Sequence, residues 1–171
     1  MNCLTEALGM SLPGNGTIPA VFSERIRLAK MTGMRIMGLI EEEVAPRSIL
    51  TREAFLNAIA VDMAIGGSTN TVLHLPAMAH EAGVELGLEA FDAMSEKTPH
   101  LCNMSPGGPH HLQDLNEAGG VLAIMKELAE IGLIHTGVQT VSGKRLVDLL
   151  AGARVTRRDV IRTPDEAYHK Q

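Results

Sequence analysis

The stretch 52–65 constrains this chain more than any other. Ala54, Phe55, Ala58, Ile59, Val61, Ala64 and Ile65 cover most of the circumference of a helix. A helix that is apolar nearly all round must be enclosed by other elements, so the rest of the chain has to supply its neighbours. Thr51 stands where an N-cap is needed. Asp62 lies inside the same apolar run, and a charge in that position requires a partner or an adjoining cavity.

The enclosing segments are also helical in period. Residues 2–10 read as the end of a helix with Leu4, Ala7 and Leu8 on one face, broken by the turn Leu12-Pro13-Gly14-Asn15-Gly16. Phe22, Ile26, Ala29, Gly33, Ile36 and Ile40 recur at helical spacing, and Gly33 would let a neighbouring helix approach that stripe closely. Glu41, Glu42 and Glu43 read as a solvated helix end closed by Pro46. After Gly66-Gly67 a second helix begins, capped by Ser68 or Thr69 and closed by Gly83, with Pro76 either kinking it or marking its boundary. Further helices are predicted over 88–97, 112–118 and 121–131, and one containing Leu146 to Leu150. Lys126 and Glu130 form an i,i+4 pair. Residues 100–104 read as a short strand or buried loop, and 154–171 as a connector leading elsewhere.

At 171 residues, with 45% hydrophobic and 20% charged residues, the chain suffices for one domain with a real core. With three Phe, one Tyr and no Trp, that core is built from Leu, Ile, Val, Ala and Met. The same scarcity removes the stacking platform of single-strand binders, and a net charge of −5 with scattered basic residues argues against a nucleic-acid surface. No apolar run is long enough to span a bilayer, and no secretion signal is visible. Cys3 and Cys102 form no paired motif, which favours two small buried hydrophobes in a reduced, cytoplasmic protein.

Three groups have the right chemistry to be weighed. Gly66-Gly67-Ser68-Thr69-Asn70 places backbone amides and polar side chains at a helix N-terminus, suited to a carboxylate or phosphate; an ordinary capped turn explains the same residues. His100, Cys102, His110 and His111 are metal-ligand types, but their spacing matches no closed four-ligand motif. Ser142-Gly143-Lys144-Arg145 fails the Walker pattern at Val138 and Arg145. Taken alone, the residues lead to a helix-rich domain with one candidate anion-binding turn.

Longer strings carry a resemblance. Residues 1–9 (Met1-Asn2-Cys3-Leu4-Thr5-Glu6-Ala7-Leu8-Gly9), the turn 11–16, the run 62–75 from Asp62 through Gly66-Gly67-Ser68-Thr69-Asn70 to Leu75, Pro99-His100-Leu101-Cys102, and the run 111–120 together resemble the dihydroxy-acid and phosphogluconate dehydratase family. Leu75-Pro76-Ala77 and Ser142-Gly143-Lys144 resemble its dihydroxy-acid branch most. The resemblance implies an α/β fold, with this chain a helix-dominated portion of a three-layer α/β/α N-terminal domain over 1–153 and a connector toward a C-terminal domain over 154–171. It implies a hydro-lyase that converts 2,3-dihydroxy-3-methyl acids to 2-keto acids in valine and isoleucine biosynthesis, a homodimer when full length, using an iron–sulfur cluster and Mg2+. It also implies that the cluster cysteines and the magnesium-binding Asp-Lys pair lie upstream of Met1, and that the remaining ligand and the base serine lie downstream. Neither Cys3 nor Cys102 matches a cluster ligand. On that resemblance the chain is a fragment without catalytic, cofactor-binding or metal-ligating residues, inactive alone, and Ser68, Thr69 and Asn70 are its substrate-pocket candidates. The competing readings are a sugar-acid or phosphogluconate dehydratase fragment, and a non-catalytic helical interaction domain.

Overall fold

A computed structural model describes residues 1–169; Lys170 and Gln171, the end of the expected connector, lie outside the described residues. Nine α-helices are present among the described residues: α1 (Asn2–Ala7), α2 (Ser23–Glu41), α3 (Pro46–Ile49), α4 (Arg52–Ala64), α5 (Thr69–Ala82), α6 (Glu89–Ser95), α7 (Leu112–Glu117), α8 (Gly120–Glu130) and α9 (Leu146–Ala151). A single 3-10 turn follows at Pro164–Glu166. Extended pairing among the described residues is limited to isolated bridges, His100 with His169, Met104 with His110 and Gln139 with Arg145. The helix-rich reading therefore holds.

Helix α4 is the central element. Ala54, Phe55, Ala58, Ile59, Ala60, Val61 and Ala64 have no exposed surface, and α1, α5, α6 and α8 pack around it. Four alanines on one buried helix let those neighbours approach closely, while Phe55 and Ile59 fill the gaps between them. The Thr51 hydroxyl caps the helix by accepting from the Ala54 amide at 3.4 Å. Asn57, also fully buried, donates to the His135 carbonyl at 3.0 Å and accepts from the His135 amide at 2.7 Å. Its amide thereby satisfies both backbone polar groups of a residue 78 positions away.

Helix α2 departs from expectation. Its stripe does not face the core: Ile26, Ile36 and Ile40 are 75%, 52% and 65% exposed, and nothing approaches Gly33. Only Leu28 and Leu39, which lie off that stripe, are buried. Arg35 fixes this orientation by donating to the Val141 carbonyl at 2.6 Å, and Arg25 by donating to Asn15 and Ile18. Pro46 opens α3 at its first position, where its missing N–H is harmless, and α2 has already ended at Glu41. Helix α5 runs through Pro76 and closes on Gly83 at φ 79°. Lys126 does not pair with Glu130; its ammonium donates to the Ala153 carbonyl at 2.8 Å.

The last described stretch lies against the core. Val160 and Ile161 are fully buried. The nearly buried Glu127 carboxylate accepts from both terminal nitrogens of Arg158, at 2.7 and 3.0 Å, a fork-to-fork pair. Gly119 sits where this stretch crosses the α7–α8 junction. A Cβ on Gly119 would lie 2.3 Å from the Arg154 carbonyl oxygen, at a φ of 121° that side chains rarely adopt. Backbone cannot yield as a side-chain tip can, so Gly119→Ala is expected to cost about 2–5 kcal/mol from strain and overpacking together. Thermal denaturation of the variant checks it.

Candidate functional site

The junction of α4 and α5 is built from a chain reversal that glycine makes possible. Gly66 and Gly67 have φ values of 105° and 71°, in the left-handed half of backbone space. Asp62 sits in the last turn of α4 and is 3% exposed. Its carboxylate accepts from the Thr71 hydroxyl at 3.1 Å and from the Ser68 amide at 3.4 Å, so one side chain spans the turn and joins the two helices. Those are the partners that a charge in this apolar run requires. Burial pushes the Asp62 carboxyl above its ordinary value, and the two hydrogen bonds oppose that shift.

Ser68 is the N-cap of α5, its hydroxyl accepting from the Asn70 amide at 3.3 Å. The Gly67 amide donates to the Asp62 carbonyl at 2.7 Å and the Thr71 amide to the Ser68 carbonyl at 3.0 Å. The Thr69 amide has no partner among the described residues. Ser68, Thr69 and Asn70 are all exposed.

Beside the turn lies a cavity of about 420 Å³ lined by Met63, Gly66, Gly67, Ser95, Thr98, His100 and His169. Position and orientation of His100 are tightly set. The Leu101 and Cys102 amides both donate to the Ala64 carbonyl, at 2.9 and 3.0 Å, at the very end of α4. The His100 ring hydrogen-bonds the Cys102 carbonyl at 2.9 Å and stacks on His169 with centroids 5.7 Å apart. Arg162 lies 3.7 Å over the Tyr168 ring. Desolvation lowers the His100 pKa, which favours the neutral imidazole. Sequence spacing did not reveal this cluster, because His100 and His169 are brought together only by the return of the last stretch. His110 and His111 lie elsewhere, His111 as the N-cap of α7.

A second acid is buried at the other end of α4's neighbour. Glu6 on α1 accepts from the Gly14 amide at 2.9 Å and the Gly16 amide at 2.7 Å, clamping the turn 12–16. Cys3 donates to the Gly16 carbonyl at 3.5 Å. Burial pushes the Cys3 thiol up to about 11 and the Cys102 thiol up to about 12. Both are therefore protonated at neutral pH, as expected of small buried hydrophobes. Among the described residues no three His, Cys, Asp or Glu side chains converge into a cation-binding group. The residues of this chain thus do not fit a cluster or Mg2+ on their own. Neither thiol is expected to react with a disulfide reagent until the chain unfolds; titration in native and denaturing buffer measures this directly.

The sequence of this chain matches the family model described as dihydroxy-acid/6-phosphogluconate dehydratase N-terminal over residues 1–149. The chain belongs to that dehydratase family. Among its relatives are proteins named dihydroxy-acid dehydratase from Caldanaerobacter subterraneus subsp. tengcongensis, 58% identical over 99% of this chain and 31% of that protein, and from Pyrococcus abyssi, 62% identical over 98% of this chain and 30% of that protein. A third, from Nitratidesulfovibrio vulgaris, is 57% identical over 100% of this chain and 31% of that protein. The chain spans a little under a third of the length of these dehydratases. No described helix is long and apolar enough to cross a membrane.

Proposed function

We propose that this chain is part of the N-terminal domain of a hydro-lyase that removes water from 2,3-dihydroxy-3-methyl acids to give 2-keto acids, in valine and isoleucine synthesis. The observation that carries the reading is the near-complete match, at 54–62% identity, to relatives that all bear the name dihydroxy-acid dehydratase. Those names favour the dihydroxy-acid branch over the phosphogluconate one. In this reading the domain is three-layered α/β/α once the remaining segments add strands, residues 1–153 lie within it, and 154–171 lead toward a C-terminal domain. The whole enzyme is a cytoplasmic homodimer, and segments outside this chain supply the iron–sulfur and Mg2+ ligands that its own residues lack.

The role assigned to this chain is positioning. The Gly-Gly turn brings the open end of α5 to the protein surface, with Ser68, Thr69 and Asn70 exposed there. A substrate carboxylate would accept from the Thr69 amide and from these side chains, aided by the positive end of the helix dipole. Asp62 takes part by holding the turn, not by meeting substrate. Water exclusion falls to the remaining segments, since this end of α5 is open.

The test replaces the corresponding segment of the Pyrococcus furiosus relative, 61% identical, with this chain. The hybrid is expected to form keto acid from dihydroxy-isovalerate, and Asn70→Ala in it to raise KM. A folded hybrid that acts on phosphogluconate instead would move the chain to the other branch. A folded hybrid without any dehydratase activity would leave the interaction-domain reading.

A further inference from the structure

A cavity of about 840 Å³ opens at the head of α4. The length of that helix, about 18 Å, separates it from the Gly-Gly turn. Its wall joins Ser48 of α3 and Thr51, the cap of α4, to the loop between α8 and α9, through Thr136, Gln139, Lys144 and Arg145. Sequence spacing excludes the Walker pattern at Ser142-Gly143-Lys144-Arg145, and the fold gives the same residues a different setting.

That loop is held by its own hydrogen bonds. The Thr140 hydroxyl donates to the Lys144 carbonyl at 2.9 Å and lies 2.7 Å from the Ser142 hydroxyl, which accepts from the Lys144 amide at 3.3 Å. Gln139 and Arg145 pair across it in an antiparallel bridge, and the Val147 amide donates to the Thr136 carbonyl at 2.8 Å. Lys144 and Arg145 are therefore presented by a loop that needs little ordering on binding.

Charge is distributed unusually there. The chain has 20 acids against 15 Lys and Arg, and Arg27, Arg35, Arg157 and Arg158 each hold a carboxylate. Among the described residues, neither Lys144 nor Arg145 has an ion-pair partner or an acceptor for its cationic group. The one acid of the wall, Glu53, is engaged at the head of its own helix, where its backbone amide and the Thr51 hydroxyl hold its carboxyl below the usual value. Two cations against one anion leave the wall positive in a chain of net charge −5.

We propose that this crevice binds a small aliphatic phosphate ester, with the phosphate taken by the Lys144 ammonium and the Arg145 fork. A dianion answers two cations, and the guanidinium fork matches phosphate oxygens in pairs. Thr136 and Gln139, whose side chains have no hydrogen-bond partner among the described residues, meet the organic part. No Phe, Tyr or Trp lines the wall, so there is no platform for a nucleotide base. The inference is independent of the dehydratase reading, because it uses no residue of the Gly-Gly turn.

The probe is glycerol 3-phosphate, titrated calorimetrically into the 171-residue chain at about pH 7.5, where the ester is dianionic. One site per chain is expected. Lys144→Glu combined with Arg145→Glu should weaken it on the order of a hundredfold, about tenfold for each reversed charge. Both side chains are exposed and unpartnered, so circular dichroism and Tm should not change. Lys144→Arg should retain most of the affinity. Amide resonances of Thr136, Gln139 and Gly143 should shift on binding, and those of Ser68 to Asn70 should not. Absence of binding at millimolar ester, equal affinity in the doubly reversed variant, sulfate or 2,3-dihydroxy-isovalerate bound as tightly as the ester, or shifts centred on Ser68 to Asn70 would each overturn the proposal.

Discussion

Phe55→Ala is expected to destabilise the chain by about 3–5 kcal/mol, the usual range for emptying a fully enclosed aromatic site. Phe55 has no exposed surface and sits on the helix around which α1, α5, α6 and α8 pack. Ala54 and Ala58 beside it on α4 cannot extend into the vacated space, so collapse around the cavity would be incomplete. For a chain of this size the loss corresponds to a fall in Tm on the order of 10 °C. Phe55→Leu, which retains most of the volume, should lose much less. Equal losses for the two variants would show that the ring's shape, and not its volume, supports the core.

Asp62→Ala is expected to cost about 2–3 kcal/mol, through the Thr71 hydroxyl and the Ser68 amide that it would leave without their acceptor. Its consequences should also be local. The Gly-Gly turn would lose the one side chain that joins α4 to α5, and hydrogen exchange at Ser68 and Thr71 should accelerate more than at distant core amides. The pH dependence has a definite sign. Burial raises the folded-state pKa of Asp62 above 3.8, so the folded chain holds this proton more tightly than the unfolded one. Its contribution is therefore greatest below the unfolded value and declines as pH rises through the folded value. The stability of the wild type relative to Asp62→Ala should show that decline in mildly acidic buffer. A difference that grew with pH over the same range would contradict the assignment.

Much of this architecture is written in local pattern. The Thr51 cap, the enclosed α4, the Gly-Gly reversal and the Gly83 stop each follow from residues within a few positions of one another. Even the need of Asp62 for partners is visible, because an acid amid alanines, isoleucine and valine has no other way to be buried. What the pattern cannot supply is the identity of distant neighbours. Periodicity marks one side of α2 as apolar without saying what meets it, and in this chain that side faces water. Lys126 stands four residues from Glu130, yet a carbonyl 27 residues away takes its ammonium. Glu6 stands in no motif that marks it for burial, and the two amides that enclose it belong to a turn of fixed shape only once folded. His100 and His169 illustrate the same limit at the candidate site, being joined by tertiary return and not by spacing.

The carbonyl of Ala64 has both its lone pairs committed to successive amides of one loop. A loop held in that way has no independent hinge. It inherits the stiffness of the most enclosed helix in the chain, and His100 moves with α4 as a bracket moves with the beam it is bolted to. The His100 side of the cavity is therefore the fixed jaw, and His169, paired with His100 and stacked on its ring, is carried by the same bracket.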